Sequence, residues 1–242
     1  MKLKPRKFSQ MGTLFEDLDL AGKTAVFQDR QEAGRRLAAR LSDRVDSPAI
    51  VLAIPAGGVP VALPIAQTLR VPLDVLVVRK IQIPGNTEAG FGAIGPDGTV
   101  LLNDRIVEDL RLSAKEIEVQ VSHAREVLER REALFRRGRP FPSLDNHQVI
   151  LVDDGLASGY TMLTAAGLVR ARGARQVIVA VPTASRRTVN SLLPEVDLLV
   201  CLNIRTGPIF AVAEAYRHWY DLDDREVLDL LREADAAGSS KS

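Results

Sequence analysis

Val149-Ile150-Leu151-Val152-Asp153-Asp154-Gly155-Leu156-Ala157-Ser158-Gly159-Tyr160-Thr161 is the stretch on which the reading of this chain turns. Gln148 to Val152 has the aliphatic, β-branched composition of a buried strand. It ends in two adjacent carboxylates, passes through a turn of small residues and enters a helical stretch, Thr161 to Ala171, closed by Gly173. In open parallel sheets, ligands bind beyond the carboxyl ends of the strands. A helix N terminus carries free N–H groups, and Ala157, Ser158 and Gly159 are small enough to let a phosphate approach them. Ser158 and Thr161 add hydroxyl donors. The carboxylates of Asp153 and Asp154 repel a phosphate, so they suit neighbouring hydroxyls or a divalent cation held partly through water. The plainer alternative, a strand–turn–helix capped by an Asp pair, accounts for Asp153-Asp154 but less well for the whole run. A Walker-type loop needs a lysine after its last glycine, where Tyr160 stands, and a nucleophile elbow needs Gly-x-Ser-x-Gly, whereas Ser158 directly precedes Gly159.

A phosphate, a diol and a metal ion side by side describe a phosphorylated ribose. The stretch resembles the 5-phosphoribosyl-1-pyrophosphate (PRPP) motif of the type I phosphoribosyltransferase family, in which apolar residues precede two acidic ones and a small-residue phosphate loop. It departs at Gly155, where the family more often has an apolar residue. The resemblance implies an α/β fold with a central, mostly parallel sheet flanked by helices, a small hood and a C-terminal helix. It implies that Asp153 and Asp154 hold the ribose hydroxyls, and that Ala157, Ser158, Gly159, Tyr160 and Thr161 bind the 5′-phosphate. Mg²⁺ is then expected, bound largely through PRPP, with no direct protein ligand assigned.

Upstream, the apolar run Ala49 to Ile54 between two prolines suits another buried strand, followed by Pro55-Ala56-Gly57-Gly58 and a helix from Val61 to Leu69. Paired glycines permit close approach of an anion. The loop resembles the pyrophosphate loop of a bacterial and archaeal group within the family, which places Ala56, Gly57 and Gly58 at the pyrophosphate; relatives commonly carry Arg where this chain has Ala56. A strand at Leu73 to Val78 leads into a long polar loop, Arg79 to Gly90, that resembles the mobile basic loop of orotate phosphoribosyltransferases more loosely. Arg79 and Lys80 are its candidate catalytic cations, since charge on departing pyrophosphate needs positioned positive groups. Two solvated surface cations are the bland alternative. Phe91 to Ile94 and Thr99 to Leu102 flank Gly95-Pro96-Asp97-Gly98 as a hairpin. Ala157 stands where 6-oxopurine enzymes of the family carry Asp, which argues against a hypoxanthine or guanine acceptor.

Ser113 to Arg137 reads as a long helix, with Glu126/Arg130 and Glu132/Arg136 as i,i+4 pairs on its solvent side. Arg136, Arg137 and Arg139 at its end are either an anion site or cations complementing the helix dipole. A helix beginning after Asp29, strands at Gln176–Val181 and Asp197–Leu202, and helices at Ser185–Leu193 and Asp223–Ala234 complete an alternation that implies a parallel sheet covered on both faces. Among Tyr216, His218, Trp219 and Tyr220, one residue stacks on an acceptor ring, or the group fastens the terminal segment to the domain. His123 and His147 have no partners at metal-ligand spacing.

The formal net charge of +1 gives no basic footprint for nucleic acid, and Cys201 has no second cysteine to pair with, so it reads as a small buried hydrophobe. No apolar run approaches membrane-spanning length and no signal-peptide pattern follows the basic N terminus, so the expectation is a cytoplasmic protein with no membrane partner. The chain divides into an N-terminal extension (1–25), a phosphoribosyltransferase-like domain (26–237) and a polar tail (238–242). The activity implied is transfer of a 5-phosphoribosyl group from PRPP to a small-molecule acceptor, with a homodimer by family analogy. A PRPP- or nucleotide-binding regulator without turnover is the rival, and hydrolysis, with water as acceptor, is a third reading.

Overall fold

Six strands lie side by side in the order β1-β9-β8-β7-β2-β3, all parallel, in a computed structural model that describes residues 12–136 and 138–239. The strands are β1 (Thr13–Glu16), β2 (Ala49–Ala53), β3 (Leu73–Val75), β4 (Arg79–Ile83), β5 (Asn86–Ile94), β6 (Val100–Leu102), β7 (Gln148–Val152), β8 (Gln176–Ser185) and β9 (Leu198–Arg205). The helices are α1 (Arg30–Leu41), α2 (Gly58–Leu69), α3 (Asp104–Asp109), α4 (Ala114–Arg136), α5 (Tyr160–Ala171), α6 (Arg186–Leu192) and α7 (Asp224–Ser239).

Although β2, β7, β8 and β9 read as continuous apolar runs, the pleat sorts them into two cores. Val51, Ile150, Val152, Ile178 and Val200 face a core shared with Leu37 of α1, Ile65 of α2, Leu128 of α4 and Val227 of α7. Leu52, Val149, Leu151, Val179 and Leu199 face the other, shared with Met162 and Leu168 of α5 and Val189 of α6. Cys201 is fully buried in this second core, and burial pushes its thiol well above the usual range. Among the described residues, no helix is long and apolar enough to cross a membrane.

Four expectations are corrected. Thr13–Glu16, within the expected extension, joins the sheet as β1, paired with β9, and Arg186 binds Glu16 through both carboxylate oxygens at 2.7 and 2.8 Å. Four residues at a sheet edge are too few to show a period; residues 1–11 lie outside the described part. Arg79 to Gly90 is not a loop: β4 and β5 form an antiparallel hairpin through Pro84-Gly85, extended by β6. Irregular register between Ile81 and Ile83 breaks the alternation that reveals a strand, while fully buried Ile81 and Phe91 anchor the hairpin beside α4, each contributing about 1.5–3 kcal/mol. Glu132 and Arg136 are not a solvent-side pair: Arg136 is 4% exposed and grips both Asp74 oxygens (3.1 and 3.2 Å) and the carbonyls of Val75 and Pro140. Glu132 is half-buried, one carboxylate oxygen lacks a hydrogen-bond partner among the described residues, and burial raises its pKa against the opposing pull of Arg136. Of the two readings of the helix-end arginines, that of cations at the helix end holds: Arg139 donates to the Arg136 carbonyl at 3.4 Å and pairs with Asp235 of α7; Arg137 lies outside the described residues, as do residues 240–242 of the expected tail, whose first two residues continue α7.

Candidate functional site

Strand order reverses between β2 and β7, and this decides where the site lies. The helix after β2, α2, covers one face of the sheet, and the helix after β7, α5, covers the other. The two connecting turns therefore diverge and leave a crevice at the carboxyl ends of these strands, the usual position for a ligand in an open parallel sheet. The Ile54–Gly58 turn forms one lip and Asp153–Gly159 the other.

The two lips touch. A Cβ on Gly57 would sit 1.9 Å from Oδ2 of Asp154, and one on Gly58 would sit 2.5 Å from the carbonyl oxygen of Val152. Gly57 is thus required by the approach of the Asp154 carboxylate and Gly58 by that of the Val152–Asp153 backbone, before any ligand arrives. The Pro55–Ala56 peptide is cis, and the Gly58 N–H donates to the Ile54 carbonyl at 3.0 Å.

Asp153 and Asp154 are chemically unequal neighbours. Asp153 accepts its neighbour's N–H at 2.8 Å and meets the Asp154 carboxyl, and burial followed by the charge of Asp154 raises its pKa well above the usual carboxylate value. Asp154 accepts Nε of Arg30 at 2.9 Å, and its backbone carbonyl accepts the Tyr216 hydroxyl at 2.5 Å. Burial raises its pKa too, with Arg30 pulling the other way. Burial, then the charge of Asp154, pushes the Tyr216 phenol well up, so it stays a donor. Arg30 also donates to the Tyr220 carbonyl at 2.9 Å, and its guanidinium lies 3.9 Å from the centroid of the Trp219 ring. Tyr216 and Trp219 therefore fasten the C-terminal segment, as one of the two readings of the aromatic cluster held. Tyr220 and His218 instead line a cavity of about 530 Å³ on α7's side of Arg30.

The phosphate-loop candidate is braced by different chemistry. Leu156 N–H donates to the Thr183 carbonyl at 2.9 Å; Thr188 Oγ1 donates to the Ala157 carbonyl and lies 2.8 Å from Ser185 Oγ. These bonds turn Ala157 and Ser158 outward, and both are exposed. Gly159 has φ +77° and precedes α5 without a capping side chain, so the first turn of the helix keeps its N–H groups for an anion. At Gly155, where the family more often has an apolar residue, a Cβ would lie 2.6 Å from Val212 Cγ1 and 2.9 Å from Thr183 Cγ2. Val212, from the C-terminal segment, occupies the room that a larger residue at 155 would need. The Tyr160 hydroxyl meets Nδ2 of Asn103, which ties the start of α5 to the three-stranded sheet.

Arg79 and Lys80 are brought to that sheet and sit on opposite faces of β4. Arg79 lies near Arg131 of α4, and burial, then that neighbour's charge, lowers its pKa. The stem of Lys80 packs over Gly90 of β5.

Arg30, Ser185 and Thr188 were absent from the candidate residues, and Tyr216 was read only for ring stacking or for fastening the terminal segment. One signal was present in the sequence: Arg30 directly follows the N-cap Asp29, and a cation in the first turn opposes the helix dipole, so something outside the helix must hold it. Ser185 and Thr188 carry the spacing of a helix cap, which they form, and this conceals their second contact with the phosphate turn.

Residues 26–197 match the sequence model of the phosphoribosyl transferase domain. Two Mycobacterium tuberculosis proteins, from strains CDC 1551 and H37Rv and provisionally named as phosphoribosyl transferases, are each 41% identical over 209 residues, covering 86% of this chain and 47% of their own. The chain thus spans about half the length of the curated relatives it matches. The crystal structure of TT1426 from Thermus thermophilus superposes with a TM-score of 0.73 at 35% identity, over 86% of this chain and 98% of that one. With the crevice at the β2–β7 switch and the acidic pair at its floor, this similarity settles the family: the chain belongs to the phosphoribosyltransferases and has their type I fold.

Proposed function

We propose that the crevice binds PRPP and transfers its 5-phosphoribosyl group to a small-molecule acceptor. The observation that carries this is the meeting of three groups at the switch point: an acidic pair, an uncapped helix N terminus behind an outward-turned small-residue loop, and the glycine turn pressed against them. The 5′-phosphate takes the N–H groups of the Ala157–Thr161 turn with the hydroxyls of Ser158 and Thr161. Asp153 and Asp154 accept the ribose hydroxyls and hold the ring. The pyrophosphate lies over Ala56 and Gly57, since the Gly58 N–H is already bonded to Ile54. The C1–O bond breaks with its electron pair leaving on pyrophosphate, the acceptor's lone pair forms the new bond to C1, and the acceptor's proton is released.

Among the described residues, no group of three or more His, Cys, Asp or Glu side chains is placed to hold a metal. An acidic pair with one member bonded to Arg30 fits a cation held by the substrate's own phosphate oxygens and water. Mg²⁺ carried on PRPP would neutralise the departing charge. Lys80 supports that charge from the hairpin, while Arg79 belongs to the contact with α4. Ala157, without a carboxylate, gives no help in proton transfer to or from a 6-oxopurine.

A PRPP-binding regulator without turnover is the second reading, favoured by uncharged Ala56 in the pyrophosphate turn. Calorimetric titration with PRPP, with and without Mg²⁺, followed by pyrophosphate release across a panel of bases, separates the two. Binding with release for one base supports the transferase and names its acceptor, whereas binding without release favours the regulator. Absence of binding overturns both.

A further inference from the structure

We infer that Arg30 is the positioning residue of the ribose site: it orients the Asp154 carboxylate toward the ribose diol and ties that orientation to the C-terminal segment. The inference rests on the reading of Asp154 as a ribose ligand.

Arg30 is 6% exposed and is the first residue of α1, where the helix dipole disfavours a cation, so its partners hold it there. They do so on three sides. Nε donates to Asp154 Oδ2 at 2.9 Å, Nη1 donates to the Tyr220 carbonyl at 2.9 Å, and the Trp219 ring lies 3.9 Å from the guanidinium carbon. A guanidinium is a rigid planar fork, so fixing one nitrogen and its flat face fixes the direction of the other bonds. Gly57 bounds the carboxylate on the opposite side, where any side chain would collide with Oδ2. Asp154 is therefore gripped through Oδ2 and lies against the Asp153 carboxyl, so the pair presents one fixed direction to a hydroxyl. Its backbone is gripped as well, because the Tyr216 hydroxyl holds its carbonyl. The segment supplying Tyr216, Trp219 and Tyr220 is itself laced to the residues preceding α1, through Phe27 N–H to the Ala215 carbonyl (3.0 Å) and Arg217 N–H to the Phe27 carbonyl (2.8 Å). The contacts made by Arg30 thus join the C-terminal segment, the start of α1 and a member of the acidic pair. Arg30 also forms part of the wall of the 530 Å³ cavity, with Pro60, Tyr220 and Leu222, and stands between that cavity and Asp154. A shorter side chain at position 30 opens the carboxylate to water and releases its direction.

The test compares calorimetric affinities for ribose 5-phosphate and 2,3-dideoxyribose 5-phosphate, which share the phosphate and differ in the diol. The wild-type protein should prefer the diol on the order of tenfold or more, as for a hydroxyl bonded to a carboxylate. Arg30→Gln should remove most of that preference and leave the dideoxy compound's affinity unchanged, and Arg30→Lys should restore part of it. In the Asp154→Asn background, which also avoids an unpaired buried carboxylate if Arg30→Gln alone fails to fold, Arg30→Gln should change the preference no further. A preference untouched by Arg30→Gln, an equal fall for both compounds, or the same loss in the Asp154→Asn background overturns the inference. Absence of any diol preference in the wild type instead overturns the ribose reading, and the role of Arg30 with it.

Discussion

The two sides of the crevice are braced by opposite kinds of chemistry. On the side of the C-terminal segment, Asp154 is held by a phenol and by a buried guanidinium that itself lies on an aromatic face. On the side of the proposed phosphate turn, the Ala157 carbonyl is held by the neutral Thr188 hydroxyl, which in turn meets that of Ser185. Neutral hydrogen bonds are cheap to bury and modest in strength, whereas a buried ion pair costs much desolvation and is severe to break from one end. On the proposed reading, the charged side fixes a direction, and the neutral side presents backbone N–H groups without placing charge beside the phosphate.

The largest expected effect comes from unpairing the charged side. Asp154→Ala leaves Arg30 buried without its carboxylate and should cost about 3–5 kcal/mol of stability, read as the shift in urea midpoint at constant slope. Next is the join between the two sides. Gly155→Val should cost about 1–3 kcal/mol by overpacking against Val212 and Thr183, and Val212→Ala in the same chain should recover most of it. A failure of recovery would mean that Val212 does not fill the space vacated at Gly155.

Asp153→Asn sharpens the contrast within the acidic pair. Because burial and the charge of Asp154 raise the pKa of Asp153, its ionised form destabilises the fold at neutral pH. The amide should stabilise the protein by about 1 kcal/mol while weakening PRPP binding, the exchange of stability for function common at active sites. The pH dependence follows with the same sign: a carboxylate raised in the folded state contributes stability below its unfolded value, and that contribution is lost as pH rises through the folded one. Acidification from neutral should therefore relieve strain at Asp153 while PRPP affinity falls above the ordinary carboxylate range, as calorimetry at stepped pH would show. On the neutral side, Thr188→Val should cost about 1 kcal/mol and weaken phosphate binding without altering diol preference. The smallest effect is expected on the separate sheet: Arg79→Gln should leave PRPP affinity within about twofold, while Lys80→Ala should lower turnover more than affinity, in keeping with support of a leaving group.

Much of this was written locally in the chain. The strands β2, β7, β8 and β9 are legible because burial on both faces demands continuous apolar runs, and the Asp153–Thr161 turn because strand, acidic pair and helix start are consecutive. The edge strand β1 and the irregular β4–β5 hairpin were not, since four residues or an interrupted alternation carry too little period. The glycine pair at Gly57-Gly58 was legible, but its cause, the Asp154 carboxylate against Gly57 and the Val152–Asp153 backbone against Gly58, was not.

Sequence alone thus determined the α/β class, the family resemblance and the stretch proposed to face the ligand, because each depends on residues within a few positions of one another. Only the tertiary structure decided that Asp153 and Asp154 are unequal, that Arg79 faces α4 and that Val212 stands in for a side chain at Gly155. The reason is distance along the chain. Arg30 lies 124 residues from Asp154 and Tyr216 lies 62 from it, and what brings them together is the packing of α1 and the C-terminal segment at the crevice, which no local pattern encodes.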